Sequence, residues 1–203
     1  MDRKLNVKII MRGWLIRDNE GSVIDASSNV VLVKNDKTIL VDTGSRNEIE
    51  LIRNLQNFGL TPKDIDYVIN THLHLDHVGN DHLFKKVIVH EAELNYSLKH
   101  YPRPFVDYIL SLPIEKIKDE VELTRGIKII ETPGHTPGSI SVVIESDKTI
   151  VACGDAIPTE ENYRKWVPPR INVDSTLAME SMKKIEKIAD VIITGHGNII
   201  ELG

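Results

Sequence analysis

The stretch Thr71-His72-Leu73-His74-Leu75-Asp76-His77 constrains this chain more than any other. It follows directly on an apolar run, Tyr67-Val68-Ile69, and places four side chains of metal-ligand type within positions 72–77. Three imidazoles and a carboxylate crowded into one loop repel one another when protonated, and waste polar groups when buried. A bound cation removes both problems. On an extended segment His72, His74 and Asp76 point one way while Leu73 and Leu75 point the other. The ligands can then face a cleft while the leucines anchor the loop.

The same style recurs along the chain, with polar loops at the ends of apolar strands. Strands are expected at Leu5 to Met11, Asn29 to Lys34 and Thr38 to Val41, with Asn35-Asp36-Lys37 as a hairpin turn. Val41-Asp42-Thr43-Gly44 ends that hairpin. Ser45-Arg46-Asn47-Glu48 reads as a capping box for a helix whose apolar stripe is Ile49, Ile52, Leu55 and Phe58 and whose stop is Gly59. In the second half, strand Ile127 to Ile130 runs into Thr132-Pro133-Gly134-His135-Thr136-Pro137-Gly138. Strand Thr149 to Ala152 leads to Gly154-Asp155, and strand Val191 to Ile193 leads to Gly195-His196-Gly197. Asp174 or Ser175 caps a helix carrying Leu177, Ala178, Met182, Ile185 and Ile188 on one face. Strands interspersed with helices predict an α/β sandwich with sheets inside and helices outside.

The bulk numbers set the class. With 203 residues, 41% hydrophobic and 27% charged, the chain is expected to fold as one soluble domain over 1–203. A net charge of −5 argues against a nucleic-acid partner. The one cysteine, Cys153, excludes an intrachain disulfide and, in its apolar strand, reads as a buried inert thiol. The stretch Met1 to Asn6 lacks the apolar run of a secretion signal, and no segment is long and apolar enough to span a bilayer. A cytoplasmic location with no membrane partner is the resulting expectation. Residues 95–120, with Tyr96, Tyr101, Phe105 and Tyr108 broken by Pro102 and Pro104, read as a lid-like insertion, or as an interface for a homodimer.

His135, Asp155 and His196 join the 72–77 cluster to give a candidate set of five histidines and two aspartates. Seven ligands suit two metal ions sharing a bridging carboxylate, each keeping access to water or substrate. His82, His90 and His100 lie outside this set and read as surface or core histidines.

The order His-x-His-x-Asp-His at 72–77, then His135, Asp155 and His196, with Asp42-Thr43-Gly44 before them, resembles the metallo-β-lactamase superfamily from about Val31 to Gly197. The resemblance implies a four-layer αββα sandwich with a dinuclear site at one edge of the sheets. It implies that His72, His74 and His135 hold one metal, that Asp76, His77 and His196 hold the other, and that Asp155 bridges. Asp42 would orient the histidine loop, or simply cap a strand-end turn. Nitrogen and oxygen ligands suit zinc first, and iron or manganese also.

The resemblance further implies a metal-dependent hydrolase that directs a metal-bound hydroxide at a carboxylic ester, lactone or thioester, with Asp76 passing the proton. True β-lactamases generally lack the bridging Asp. Glyoxalase II-type hydrolases share the Thr-Pro-Gly-His-Thr-Pro-Gly run, and N-acyl homoserine lactonases carry a Tyr where this chain has Pro158. A phosphodiesterase or small nuclease of the same fold, and a metal-stabilised binding protein without turnover, are the alternatives. Arg164 and Arg170, near Tyr163, lead to the expectation of a small, anionic substrate, against the plainer reading of a solvated basic loop.

Overall fold

The structure is a computed structural model describing residues 5–203; residues 1–4, the start of the N-terminal stretch read above, lie outside the described residues. The apolar runs form two six-stranded sheets. The first takes β1 (Asn6–Met11), β4 (Val30–Lys34), β5 (Thr38–Val41), β6 (Tyr67–Ile69), β7 (Val87–His90) and β8 (Ile114–Ile117), in that spatial order. The second takes β14 (Ile199–Glu201), β13 (Val191–Ile193), β12 (Thr149–Ala152), β11 (Ile140–Glu145), β10 (Ile127–Glu131) and β9 (Val121–Thr124). A separate hairpin pairs β2 (Trp14–Arg17) with β3 (Val23–Ser27).

Strand alternation sorts the core into three layers. Val31, Val33, Ile39 and Val41 of the first sheet meet Ile127, Ile129, Val142 and Ile193 of the second, so the two sheets pack face to face. The opposite face of the first sheet, with Val30, Leu32 and Leu40, packs under α1 (Glu48–Gln56) and α4 (Arg103–Ser111) through Leu51, Leu55 and Ile109. The opposite face of the second, with Val143, Val151 and Ile192, packs under α6 (Ser175–Ile188) through Met182 and Ile185. Both sheets are thus covered on both faces, which is why their strands read as continuous apolar runs. This is the expected αββα sandwich.

Local details differ from expectation where tertiary contacts compete. The cap of α1 is Asn47, whose side chain accepts from the Glu50 N–H; Ser45 instead donates its hydroxyl to the Ala26 carbonyl at 2.5 Å. Ile49 is 73% exposed and Phe58 43%, so of the expected stripe Leu55 is buried as predicted, and Leu51, outside it, shares the burial. In α6, Asp174 caps as expected, accepting from Thr176 and Leu177 N–H groups, but Leu177 and Ile188 face outward. Residues 95–120 hold the end of α3 (Glu91–His100), then α4, then β8, which extends the first sheet by parallel pairing with β7. No helix among the described residues is long and apolar enough to cross a membrane.

The outward position of Ile49 in α1 has a measurable consequence. Ile129→Ala, between the sheets, should cost on the order of 2–5 kcal/mol, whereas Ile49→Ala should stay within about 0.5 kcal/mol. Urea denaturation of the metal-free protein checks both; a comparable loss from Ile49→Ala would contradict the packing.

Candidate metal centre

The polar loops all leave the C-terminal ends of strands at one edge of the sandwich. Asp42 follows β5, the 71–77 loop follows β6, His135 follows β10, Asp155 follows β12 and His196 follows β13. Backbone hydrogen bonds sew the sheets together there: Ile140 N–H donates to the Thr71 carbonyl at 2.8 Å, and Asn29 N–H to the Gly195 carbonyl at 2.7 Å.

Seven side chains named from the sequence converge at this seam. His72, His74 and His135 form one group that could hold an ion; His72, His77 and Asp155 form a second; Asp76, His77 and His196 form a third. His135 Nε2 lies 3.2 Å from His72 Nε2 and 2.9 Å from His74 Nδ1. Asp155 spans the groups. Its Oδ2 is 3.5 Å from His135 Nε2, while its Oδ1 is 3.5 Å from His77 Nε2 and 3.2 Å from His196 Nε2. Asp76 Oδ2 stands 3.9 Å from His77 Nε2 and 3.7 Å from His196 Nε2.

The outer nitrogens of three of these rings are fixed by acceptors. His77 Nδ1 meets Asp42 Oδ2 at 2.8 Å, His135 Nδ1 meets the Ile171 carbonyl at 2.7 Å, and His196 Nδ1 meets the Ser27 carbonyl at 2.8 Å. Each acceptor holds the proton on Nδ1, so a neutral ring directs the Nε2 lone pair inward. Inside, His77 Nε2, His196 Nε2 and Asp155 Oδ1 are buried and have no hydrogen-bond partner. Orphaned polar atoms of this kind call for a ligand, and a divalent cation fits this donor set.

Electrostatics agree with that reading. Burial, with crowding by His77, His74 and His135, lowers the pKa of His72 well below the ordinary imidazole value. Burial and His135 bring His74 down to about 4. Burial opposes charge on His77 too, but Asp42 and Asp76 outweigh it and raise its pKa. His196 is likewise raised, Asp155 overcoming burial. For Asp155 itself burial works upward, yet His196 and His77 hold the carboxyl well below its usual range. Without a cation the cluster is left to share protons; with one, the rings can be neutral ligands.

Asp42 sits in the left-handed region, φ 56°, which Asp tolerates better than most residues. Its carboxylate accepts from Thr71 N–H at Oδ1 and from the Thr71 hydroxyl at Oδ2, both at 2.8 Å, besides facing His77. It therefore ties the start of the histidine loop to one of its rings.

The cluster floors a cleft of about 480 Å³ whose apolar walls include Leu15, Val23 and Ile24 of the β2–β3 hairpin with Leu75, Pro158 and Ile171. Arg17 and Arg170 also line it. Sequence reading missed the hairpin: its strands are short, and Ile16 and Ile24 are exposed. Tyr163 and Arg164 correct the expectation of a shared substrate pocket. They lie in α5 (Glu160–Lys165) and line a different surface hollow, Tyr163 donating to Glu186 at 3.0 Å and Arg164 pairing with Glu160 one helical turn away. Of the aromatic residues in 95–120, Tyr101 approaches the cluster, its ring centroid 5.9 Å from that of His74. Cys153 is buried and burial pushes its thiol pKa up, in keeping with an inert role.

Residues 23–196 match the family model of the metallo-beta-lactamase superfamily. A probable metallo-hydrolase of Methanocaldococcus jannaschii is 39% identical over 198 residues, covering 97% of this chain and 89% of the relative. An N-acyl homoserine lactonase of a Bacillus species is 32% identical over 158 residues, covering 73% of this chain and 62% of the lactonase. Among solved structures, an N-acyl homoserine lactone hydrolase with N-hexanoyl-L-homoserine bound at its catalytic metal center superposes with a TM-score of 0.75 at 26% identity, covering 96% of this chain and 93% of that one.

Gly195 offers a test of the cluster. A Cβ there would collide with Asp155 Oδ1. Gly195→Ala should displace that carboxylate and weaken metal retention by about tenfold or more. Metal content after dialysis against a chelator series checks this, with circular dichroism as the fold control; unchanged retention would contradict the placement of Asp155.

Proposed function

The chain belongs to the metallo-β-lactamase superfamily and is a metal-dependent hydrolase, and we propose that it uses two divalent ions to hydrolyse a small carboxylic ester, lactone or thioester. The observation that carries the two-ion reading is the split of Asp155, one oxygen toward His135 and the other toward His77 and His196. In this reading His72, His74 and His135 hold one ion, Asp76, His77 and His196 hold the other, and Asp155 bridges. Zinc suits these donors first; iron and manganese accept the same set. When bound, such ions supply Lewis acidity and an acidified water.

The chain's own residues supply the rest. Asp42, the Ile171 carbonyl and the Ser27 carbonyl keep His77, His135 and His196 oriented. Asp76 is the most exposed of the carboxylates in the cluster, at 25% for its side chain, and its backbone carbonyl is pinned by Ser28 N–H at 2.9 Å. It lines the cleft, where its carboxylate can take a proton from water and deliver it to the leaving oxygen or sulfur. The apolar walls accommodate the acyl part and exclude bulk water. Arg170, held by donation to the Glu20 carbonyl at 2.7 Å, stands at the cleft to meet an anionic group of the substrate. The lactone hydrolases among the relatives support an acyl substrate with a cyclic or open ester.

A panel of p-nitrophenyl esters, lactones, thioesters and bis-p-nitrophenyl phosphate should show turnover on the acyl substrates, abolished by chelation and restored by zinc. Preference for the phosphodiester would overturn the proposal. Asp76→Asn, at intact metal content, should lower kcat by about 10²–10⁴-fold; unchanged kcat would remove Asp76 from proton transfer. Arg170→Ala should raise KM for anionic esters and leave neutral ones alone, and equal effects on both would deny it a role in charge recognition.

A further inference from the structure

Glu93 is a fully buried carboxylate outside the ligand set, 0% exposed, in the first turn of α3. Its Oε1 accepts from the Leu73 N–H at 3.0 Å, and its Oε2 accepts from the Gly138 N–H at 3.2 Å. Leu73 lies between His72 and His74. Gly138 closes the turn that begins at His135. One carboxylate therefore joins the two loops, one from each sheet, that present the three rings of the His72, His74 and His135 group.

The approach is close on every side. A Cβ on Gly138 would collide with the backbone nitrogen of Glu93, so that glycine lets the 135–138 turn rest on the start of α3. The start of α3 is itself fixed by His90, whose side chain accepts from the Ala92 N–H. Leu73 is fully buried in the core beneath the first sheet, which leaves its N–H no water to turn to. Burial raises the pKa of Glu93, opposed by the Thr136 side chain and the two backbone donors. The carboxyl satisfies amides in both loops.

We propose that Glu93 is a positioning residue for the metal group of His72, His74 and His135, a clamp between the two loops that acts on this group and not on Asp76, His77 and His196. The proposal rests on the two-metal reading above. Glu93→Gln preserves the size of the side chain but exchanges one acceptor for a donor, which then faces a backbone N–H.

Cobalt(II) titration of the metal-free protein tests it, using d–d absorption, with His135→Ala and His196→Ala supplying the spectra of the separate sites. Glu93→Gln should weaken the His72, His74 and His135 site by about 10–100-fold and leave the other unchanged. Equal weakening of both sites, unchanged affinity at the first, or a loss that tracks a fall in folded protein by urea denaturation would overturn the proposal. Glu93→Asp, whose shorter arm cannot span both amides, should fail to restore the affinity; full restoration would also count against a clamp. A wild-type protein that binds one cobalt at His72, His74 and His135 would contradict the two-metal reading while leaving the loss of affinity at that group on Glu93→Gln measurable.

Discussion

Face-to-face packing of the two sheets is what everything at the site depends on. Val31, Val33, Ile39 and Val41 against Ile127, Ile129, Val142 and Ile193 bury an apolar layer that fixes how the strand ends line up. His72, His74, Asp76 and His77 come from the first sheet's edge, and His135, Asp155 and His196 from the second's. Neither sheet holds a complete set. The cross-sheet bonds from Ile140 to Thr71 and from Asn29 to Gly195 translate core packing into ring-to-ring distances.

That arrangement concentrates charge and lone pairs where water is largely excluded, which is costly unless something answers it. A divalent cation fits this donor set, and the surrounding residues prepare for it. Carbonyls and the Asp42 carboxylate take the outer N–H of His77, His135 and His196, turning the inner nitrogens toward the seam. The opposed pKa directions, His72 and His74 down and His77 and His196 up, describe a cluster that neither full protonation nor full deprotonation satisfies.

The candidate ligands were legible in the sequence because they are local or heavily punctuated. The run at 72–77 is dense, His135 sits between Pro133-Gly134 and Pro137-Gly138, and His196 sits between two glycines, all marks of a turn at a strand end. Features that depend on distant contacts were not legible. Ser45 looked like a helix cap, but its hydroxyl is taken by Ala26, and Asn47 caps instead. Ile49 matched helical spacing yet faces solvent, because the sheet meets the side of α1 that carries Leu51 and Leu55. Tyr163 and Arg164 follow Asp155 closely in sequence, but the capped turn at Thr159 carries them to another face. Glu93 gave no signal at all, since its partners lie 20 and 45 residues away.

The proposed sharing of Asp155 by two ions is open to direct observation. Anomalous diffraction from crystals of the zinc-loaded protein measures this directly. Two peaks are expected, one among His72, His74 and His135 and one among Asp76, His77 and His196, with the Asp155 carboxylate between them. A single peak, or two peaks with Asp155 turned away from either, would contradict it.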